Sequence, residues 1–509
     1  MFVSLHLNSI LLLYVNSDRF EKEPCTKWAN MTNLTYCIDG SIDMTKDTQA
    51  VDSKIIWAIV GTGILAFTGI LTETSMNVTF PDLMKQFDIS LSVVQWLTTA
   101  YLLMVSLVMT TSAFLKAKFN PRMIFMIAII AFLVGDVVAI LSHSFALLLV
   151  GRIIQGIGTG VITPLVFNII LENVPMSQIG KYMGFGTMIL SLAPAFGPIF
   201  GGVVAYYLGW REIFLLVLPV AFLSLVITYK TIPTAHTRND AFKFDYLSFA
   251  LLAVAFTSFL WALSQLEHGS VNAIMFGLFV VAVATFVGFL YRSKRSSKQF
   301  LNLGIFKVKA LRFAMLGYVT YMFTNLMVNF AVPTFVQLTL GASTMIAGFA
   351  LMPGSLAGAL LNPIYGRLYD TRGAKMPLLL GNFLFVVVMA VWSAMTLNAT
   401  VISMTIFYLL MTLGRNLAFG TSMTAGLAQL SLPERADGNA IFNTAQQFAG
   451  AIGTTIASLL MRVNPADHAS VAHQTAVGAR NVFLFMLVLG VLNFVWFKIF
   501  LRNDKPYTE

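Results

Sequence analysis

Only 11% of this 509-residue chain is charged and 57% is hydrophobic, so a charge inside an apolar run is the place where chemistry would sit. Four stand out: Glu73, Asp136, Arg152 and Arg415. At the depth of a bilayer an ionised side chain costs several kcal/mol unless it is paired or faces a wet cavity. Asp136 and Arg152 flank a short loop centred near residue 144, each about eight residues from it on successive apolar runs. At about 1.5 Å per residue the two lie at similar depth and could form a buried ion pair. Glu73 falls about six residues before the end of its own run, at a comparable level. A carboxyl group there could exchange a proton near neutral pH or bind a cation. A site that holds one or the other couples their movements.

The elements that must carry these charges are apolar helices. Runs of about 20 apolar residues, each sufficient to cross a hydrocarbon core of about 30 Å, recur along the whole chain. Fourteen spans are expected: 55–79, 92–115, 123–142, 146–171, 182–207, 212–229, 246–266, 271–291, 311–335, 345–366, 376–396, 399–424, 438–461 and 481–501. Mean hydropathy of +0.79 excludes an ordinary soluble domain. The net charge of +10 is no nucleic-acid signature, because the basic residues sit in short loops. About 18 of them fill alternate loops and 4 the intervening ones, which places the first set, and both termini, on the cytoplasmic side.

Residues 183–211 carry Gly184, Gly186, Gly197, Gly201 and Gly202 with Pro194 and Pro198, a composition that water-soluble helices tolerate poorly. In a membrane, small residues let helices approach closely and neighbours re-satisfy freed carbonyls. A helix packed tightly on a partner is expected, bent at Pro194–Pro198. The chain also repeats itself. Gly151-Arg152 returns as Gly414-Arg415, and Pro175-x4-Gly180 as Pro433-x4-Gly438, at offsets of 263 and 258 residues. Two six-helix units separated by a two-helix insert would give that spacing, and transporters built from repeats place their sites at the repeat interface.

Several stretches carry a family resemblance. Ala193-Pro194-Ala195-Phe196-Gly197-Pro198-Ile199-Phe200-Gly201-Gly202 resembles the antiporter motif on the fifth helix of major facilitator superfamily exporters. Arg152-Ile153-Ile154-Gln155-Gly156 resembles the fourth-helix motif whose arginine that family associates with proton coupling. Leu71-Thr72-Glu73-Thr74-Ser75-Met76-Asn77 resembles the first-helix motif of the fourteen-helix drug:proton antiporters, with its acid one place later than usual, nearest the lincomycin-resistance branch. Gly366-Arg367-Leu368-Tyr369-Asp370-Thr371-Arg372-Gly373 resembles the cytoplasmic gating loop; its N-terminal counterpart at 112–122 keeps Lys116, Lys118 and Arg122 but has no acid. The resemblance covers about residues 54–505. It implies an all-α polytopic membrane protein of major facilitator fold, with 14 transmembrane helices as 6+2+6, in a bacterial plasma membrane.

The expected organisation is an N-terminal extension over 1–53, a six-helix bundle over 54–230, a two-helix insert with linkers over 231–310, a second bundle over 311–502 and a cytoplasmic tail over 503–509. The extension holds Cys25 and Cys37, read as free thiols, and translation starting near Met44 is one expectation for it. The implied activity is export of lipophilic or cationic compounds in exchange for protons by alternating access, with Glu73, Asp136, Arg152, Gln155 and Arg415 serving protons or substrate. Proton-coupled movement of an endogenous metabolite is the alternative; a membrane enzyme or receptor is the remoter one. Asn443 and Gln446 are expected to serve packing first. No Walker-type phosphate loop, metal-ligand cluster or cofactor motif is present, so no cofactor is expected, and the partners are the bilayer, small substrates and protons.

Overall fold

The computed structural model describes residues 51–175, 178–234, 244–268, 273–295, 303–463 and 470–503. The cysteines, the extension through residue 50 and the tail from residue 504 lie outside them. All regular elements among the described residues are helices. They are α1 (Ser53–Met76), α2 (Phe80–Phe87), α3 (Leu91–Val94), α4 (Trp96–Met109), α5 (Ser112–Lys118), α6 (Pro121–Ile140), α7 (Phe145–Asn173), α8 (Ile179–Tyr207) and α9 (Arg211–Thr231). There follow α10 (Tyr246–Ser264), α11 (Ala273–Arg295), α12 (Lys309–Leu338), α13 (Thr344–Arg372), α14 (Lys375–Met395), α15 (Val401–Leu427), α16 (Leu432–Leu460) and α17 (Val471–Asn503).

Local chemistry sets the helix ends. Asn120 caps α6 by accepting from the Met123 N–H at 2.7 Å, with Pro121 at the first position where its missing N–H costs nothing. Thr400 and Ser403 form a reciprocal box at the start of α15, the Thr400 N–H donating to Ser403 Oγ at 2.8 Å. Asp88 ends α2 in the left-handed region at φ 50°. The first span therefore runs past its expected end at 79, through a 3₁₀ turn, to Phe87.

Thirteen helices among the described residues are long and apolar enough to cross a membrane. The thirteenth expected span, 438–461, lies within α16, a continuous 29-residue helix that is not among those thirteen. Its first half carries Asn439, Asn443, Gln446 and Gln447, and polar side chains of this density lower a span's hydropathy while leaving its helix intact.

Packing repeats between the two ends of the chain. α1 packs on α7, α8 and α9; α12 packs on α15, α16 and α17. α6 lies along α7 as α14 lies along α15. At the equivalent crossings small residues bring backbones together. A methyl group on Gly151 would lie 2.9 Å from the Gly135 carbonyl oxygen, and one on Gly414 2.8 Å from that of Gly381. The Gly-Arg repeat legible in the sequence thus marks one helix crossing made twice. α8 against α13, and α4 against α16, join the two groups.

The insert, α10 and α11, forms a hairpin. Arg292 Nε donates to both carboxylate oxygens of Asp245 at 2.9 and 3.0 Å, while Asp245 also caps α10 through the Ser248 N–H. Phe256 of α10 stacks on Phe448 of α16 with centroids 3.6 Å apart, so the hairpin leans on the joint between the two groups. α11 leaves Phe276, Val280 and Val287 exposed, an apolar face suited to lipid.

Candidate functional site

A cavity of about 510 Å³ lies between the two helix groups. Ile70, Glu73, Thr163, Phe167 and Leu190 line one wall, and Asn325, Asn329, Tyr408, Arg415 and Gln446 the other. It reaches Phe167, Met183, Met423 and Leu427 toward one end of the helices. At the opposite end the groups are tied together. Gln337 Nε2 donates to the Val78 carbonyl at 2.8 Å, Thr344 Oγ1 donates to Asp82 at 2.9 Å, and Phe80 meets Phe330 edge-on.

The sequence Gly197-Pro198-x-x-Gly201-Gly202 makes this closed end possible. Ser75 Oγ of α1 donates to the Gly197 carbonyl at 2.8 Å. A side chain on Gly201 would run into the Ser75 carbonyl, and one on Gly202 would lie 2.8 Å from the Thr344 carbonyl oxygen of α13. The Pro198 carbonyl lies against Gly348. One stretch of α8 therefore contacts both helix groups, α1 with one face and α13 with the other. Pro194 lies on the cavity wall, inside a helix that continues without interruption from 179 to 207.

Behind the first wall lies a buried polar chain. Arg152 is 0% exposed and sits 4.2 Å from the centre of the Tyr101 ring, in cation–π geometry. Its Nη1 donates to Gln155 Oε1 at 2.7 Å, and Gln155 Nε2 donates to Asp136. The expected direct ion pair between Asp136 and Arg152 is thus replaced by an amide bridge. The substitution has a plain cause: Gly135 and Gly151 bring α6 and α7 so close that Gln155, one turn beyond Arg152, reaches Asp136 first. Tyr101 is held by its hydroxyl, which reaches the Gly69 carbonyl and Thr159 Oγ1, both at 2.8 Å. Glu73 lies on the cavity side, 4% exposed, within electrostatic reach of Arg152, and makes no hydrogen bond to a described residue.

The repeat-related wall differs. Arg415 is 8% exposed and faces the cavity. Its Nε and Nη2 both donate to Asn416 Oδ1, at 3.1 and 2.8 Å, while Nη1 has no partner. Tyr408, one helical face along, contacts Ser355 at 3.0 Å and donates to Asn329 Oδ1 at 3.2 Å.

The structure therefore brings Glu73, Asp136, Arg152 and Gln155 together and places Arg415 apart from them, on the facing wall. The expected gating loop is no loop. Gly366, Arg367, Asp370 and Arg372 belong to the last turns of α13, and Gly373 (φ 68°) ends it, donating its N–H to the Tyr369 carbonyl at 2.8 Å. Arg367, Asp370 and Arg372 are exposed, with no ion pair among the described residues. On the N-terminal side the missing acid comes from another helix: Lys116 pairs with Glu172 of α7 at 2.7 Å. Asn443 and Gln446 line the cavity, and Gln446 accepts from the Tyr318 hydroxyl, so packing falls instead to Gly450 and Gly453, which meet α12. Sequence reasoning missed Tyr101, Tyr408 and Asn416. The signal for Tyr408 was present, since Tyr408, Thr412 and Arg415 recur at helical spacing and share a face; Asn416 carried none.

Two repeated helix groups, closed at one end around a cavity that mixes apolar walls with Glu73, Arg415 and several amides, are the architecture of a membrane transporter. The chain belongs to the Major Facilitator Superfamily, whose family profile matches residues 62–454 and 314–509. It is 30% identical over 460 residues, 87% of this chain and 95% of the relative, to the lincomycin resistance protein LmrB of Bacillus subtilis (strain 168). A multidrug resistance protein B homolog of Mycobacterium tuberculosis (strain ATCC 25618 / H37Rv) is 26% identical, covering 76% of this chain and 73% of that protein. Among solved structures, the inward-facing, unoccupied bacterial homolog of the human lysosomal transporter Spinster superposes with a TM-score of 0.66 at 14% identity, over 90% of this chain and all of that one. A peptide transporter POT bound to sulfate gives 0.64 at 15% identity, over 88% of this chain and 96% of that one. These likenesses carry the fold; the protein is a multi-pass membrane transporter for small molecules.

Proposed function

We propose that the protein exports lipophilic, cationic or neutral drugs in exchange for protons. The observation that carries this reading is Glu73: a carboxyl group on the cavity wall, without a hydrogen-bond partner among the described residues, within electrostatic reach of a fully buried arginine. Such a group can hold a proton or a cationic cargo but gains nothing from holding both. That exclusivity is the elementary requirement of antiport. Asp136, Gln155 and Arg152 form the chain that senses its charge state. The names of the lincomycin and multidrug resistance relatives support the choice of drugs as cargo. A sequence without a nucleotide-binding loop supports ion drive.

Alternating access then consists of rocking between bundles over 54–230 and 311–502, in a 6+2+6 arrangement of fourteen spans. Basic loop charges support both termini in the cytoplasm, and with them a cavity open to the cytoplasm in this conformation. Gly197, Gly201 and Gly202 keep α1, α8 and α13 in contact at the outer end. Arg367, Asp370 and Arg372 would meet partners when the inner end closes.

The test uses everted vesicles holding a proton gradient reported by a pH-sensitive dye. Lincomycin and ethidium should collapse the gradient with wild type and leave it standing with Glu73→Gln. A Glu73→Gln protein that still couples drug to proton movement would remove Glu73 from the mechanism. Failure of every drug to move protons with correctly inserted wild-type protein would overturn the export reading in favour of metabolite transport.

A further inference from the structure

Arg415 is a buried cation whose own helix group offers it no counter-charge. The described acids between residues 309 and 503 are Asp370, Glu434 and Asp437. Asp370 lies in the last turns of α13, and the other two lie in the first two turns of α16, where Glu434 accepts from the Ser431 hydroxyl at 2.6 Å. None makes an ion pair with Arg415. Glu73 lies across the cavity and makes no ion pair with Arg415. Among the described residues the only acceptor on the guanidinium is one oxygen of Asn416, which takes the Nε and Nη2 donors and leaves Nη1 unmatched. A guanidinium has five N–H donors in a planar fork made for carboxylate-like groups.

The surroundings fix this orientation. Gly358 of α13 carries no side chain where one would run into the Asn416 amide, and Gly354 likewise makes room for the Tyr408 ring. Two glycines one turn apart on α13 thus seat Asn416 and Tyr408 of α15, and Asn416 in turn accepts from Nε and Nη2 of Arg415, which borders the cavity.

We propose that Arg415 is the anion-accepting half of the cargo site, so that the transported molecule is amphoteric. Its basic group lies toward Glu73, and a carboxylate or a comparably strong acceptor lies toward Arg415. This assignment rests on the export reading, and it narrows the cargo from lipophilic cations to molecules that also carry an acceptor. Burying the cargo's acceptor against Arg415 satisfies both groups, whereas a cargo lacking one leaves the guanidinium unpaired when the cavity closes.

Three probes separate the possibilities: ciprofloxacin, which carries an amine and a carboxylate; its methyl ester, which keeps the amine alone; and ethidium, a cation without a carboxylate. Binding to the purified full-length protein in detergent is followed by ligand fluorescence. Wild type should bind ciprofloxacin at least tenfold tighter than the ester. Arg415→Gln should erase that difference while changing ethidium binding less than twofold, and Arg415→Lys should recover part of it. If wild type binds ester and acid alike, or does not bind ciprofloxacin while ethidium binds, the proposal is wrong and the export reading stands. If Arg415→Gln weakens all three probes equally, Arg415 is structural and the proposal again fails. If the acid–ester difference follows Arg415 but no probe moves protons in vesicles, the subsite survives and the antiport reading fails.

Discussion

Arg152 and Arg415 stand at the same point of the two repeats, each directly after a glycine that lets two helices touch, yet they keep different company. Arg152 is sealed in, stacked on Tyr101, bridged by Gln155 to Asp136 and close to Glu73. Arg415 faces the cavity; like Arg152 it donates to one amide oxygen, but no described carboxylate is bridged to it. The same backbone crossing thus supports two electrostatic designs. In the first the protein supplies the acids, Asp136 through the Gln155 amide and Glu73 within electrostatic reach. In the second the protein withholds the acid, and the charge is left for whatever enters. Duplication provided the arginine twice; the acids at 73 and 136 have no counterpart in the described core of the second copy.

The largest effect should come from breaking the first design. Arg152→Met removes the guanidinium that stacks on Tyr101 and donates to Gln155, leaving a buried amide oxygen unsatisfied, a loss of about 3 kcal/mol. Drug-driven proton flux should vanish and the melting temperature should drop. Arg152→Lys should not rescue flux, because a point charge can neither stack on Tyr101 nor donate to Gln155 in the same geometry. Rescue at Arg152 equal to that at Arg415 would show that the two arginines do the same work.

The next effect is steric. Gly201→Ala places a methyl group into the Ser75 backbone and should cost about 1–3 kcal/mol of stability, with loosening of the closed end. Gly184, fifteen to twenty residues earlier in the same helix, has nothing within 4 Å of such a methyl group, and Gly184→Ala should be neutral or slightly stabilising. Thermal melts of the pair separate contact glycines from incidental ones. Gln155→Glu tests the amide bridge more gently: the new carboxylate still accepts from Arg152 but cannot donate to Asp136. Coupled flux should fall about tenfold, the scale of about 1.4 kcal/mol, while drug binding at the Arg415 wall persists. Equal losses of flux and binding would tie the two walls into one unit.

How much of this was legible beforehand follows the same division. Apolar length placed a helix at each expected span, because bilayer thickness sets a minimum length, but several ends differ: the first span runs on to Phe87 and the last helix begins at Val471 instead of 481. Glu73, Asp136, Arg152 and Arg415 were conspicuous because charges are rare in apolar runs. Depth arithmetic put Asp136 beside Arg152, but it could not place the Gln155 amide between them, since that depends on how closely Gly135 and Gly151 let the helices approach. The family resemblance equally suggested a gating loop over 366–375, where α13 keeps its helix through Arg372. The polar stripe of α16 read as a packing face because an amide's partner, lipid-facing helix or water-filled cavity, is a tertiary fact. In each case the residue type was visible and its neighbour was not.

The smallest expected effect lies at the cavity end, where the two copies of the basic segment also differ. Lys116 has Glu172 at 2.7 Å, but the pair is exposed on both sides, and such pairs contribute about 0–1 kcal/mol. Arg367 and Asp370 make no ion pair among the described residues in this conformation. Glu172→Gln should therefore shift the melting temperature by no more than a degree or two, and Asp370→Asn by nothing measurable. The two should part company in transport. If Asp370 finds its partner only when the inner end closes, Asp370→Asn slows turnover without touching stability, whereas Glu172→Gln, whose contact already lies within one helix group, leaves turnover unchanged. Vesicle flux measured beside thermal melts reads both quantities. Slowed turnover in Glu172→Gln alone would reverse the comparison, making the N-terminal segment the gate and the C-terminal one a membrane anchor.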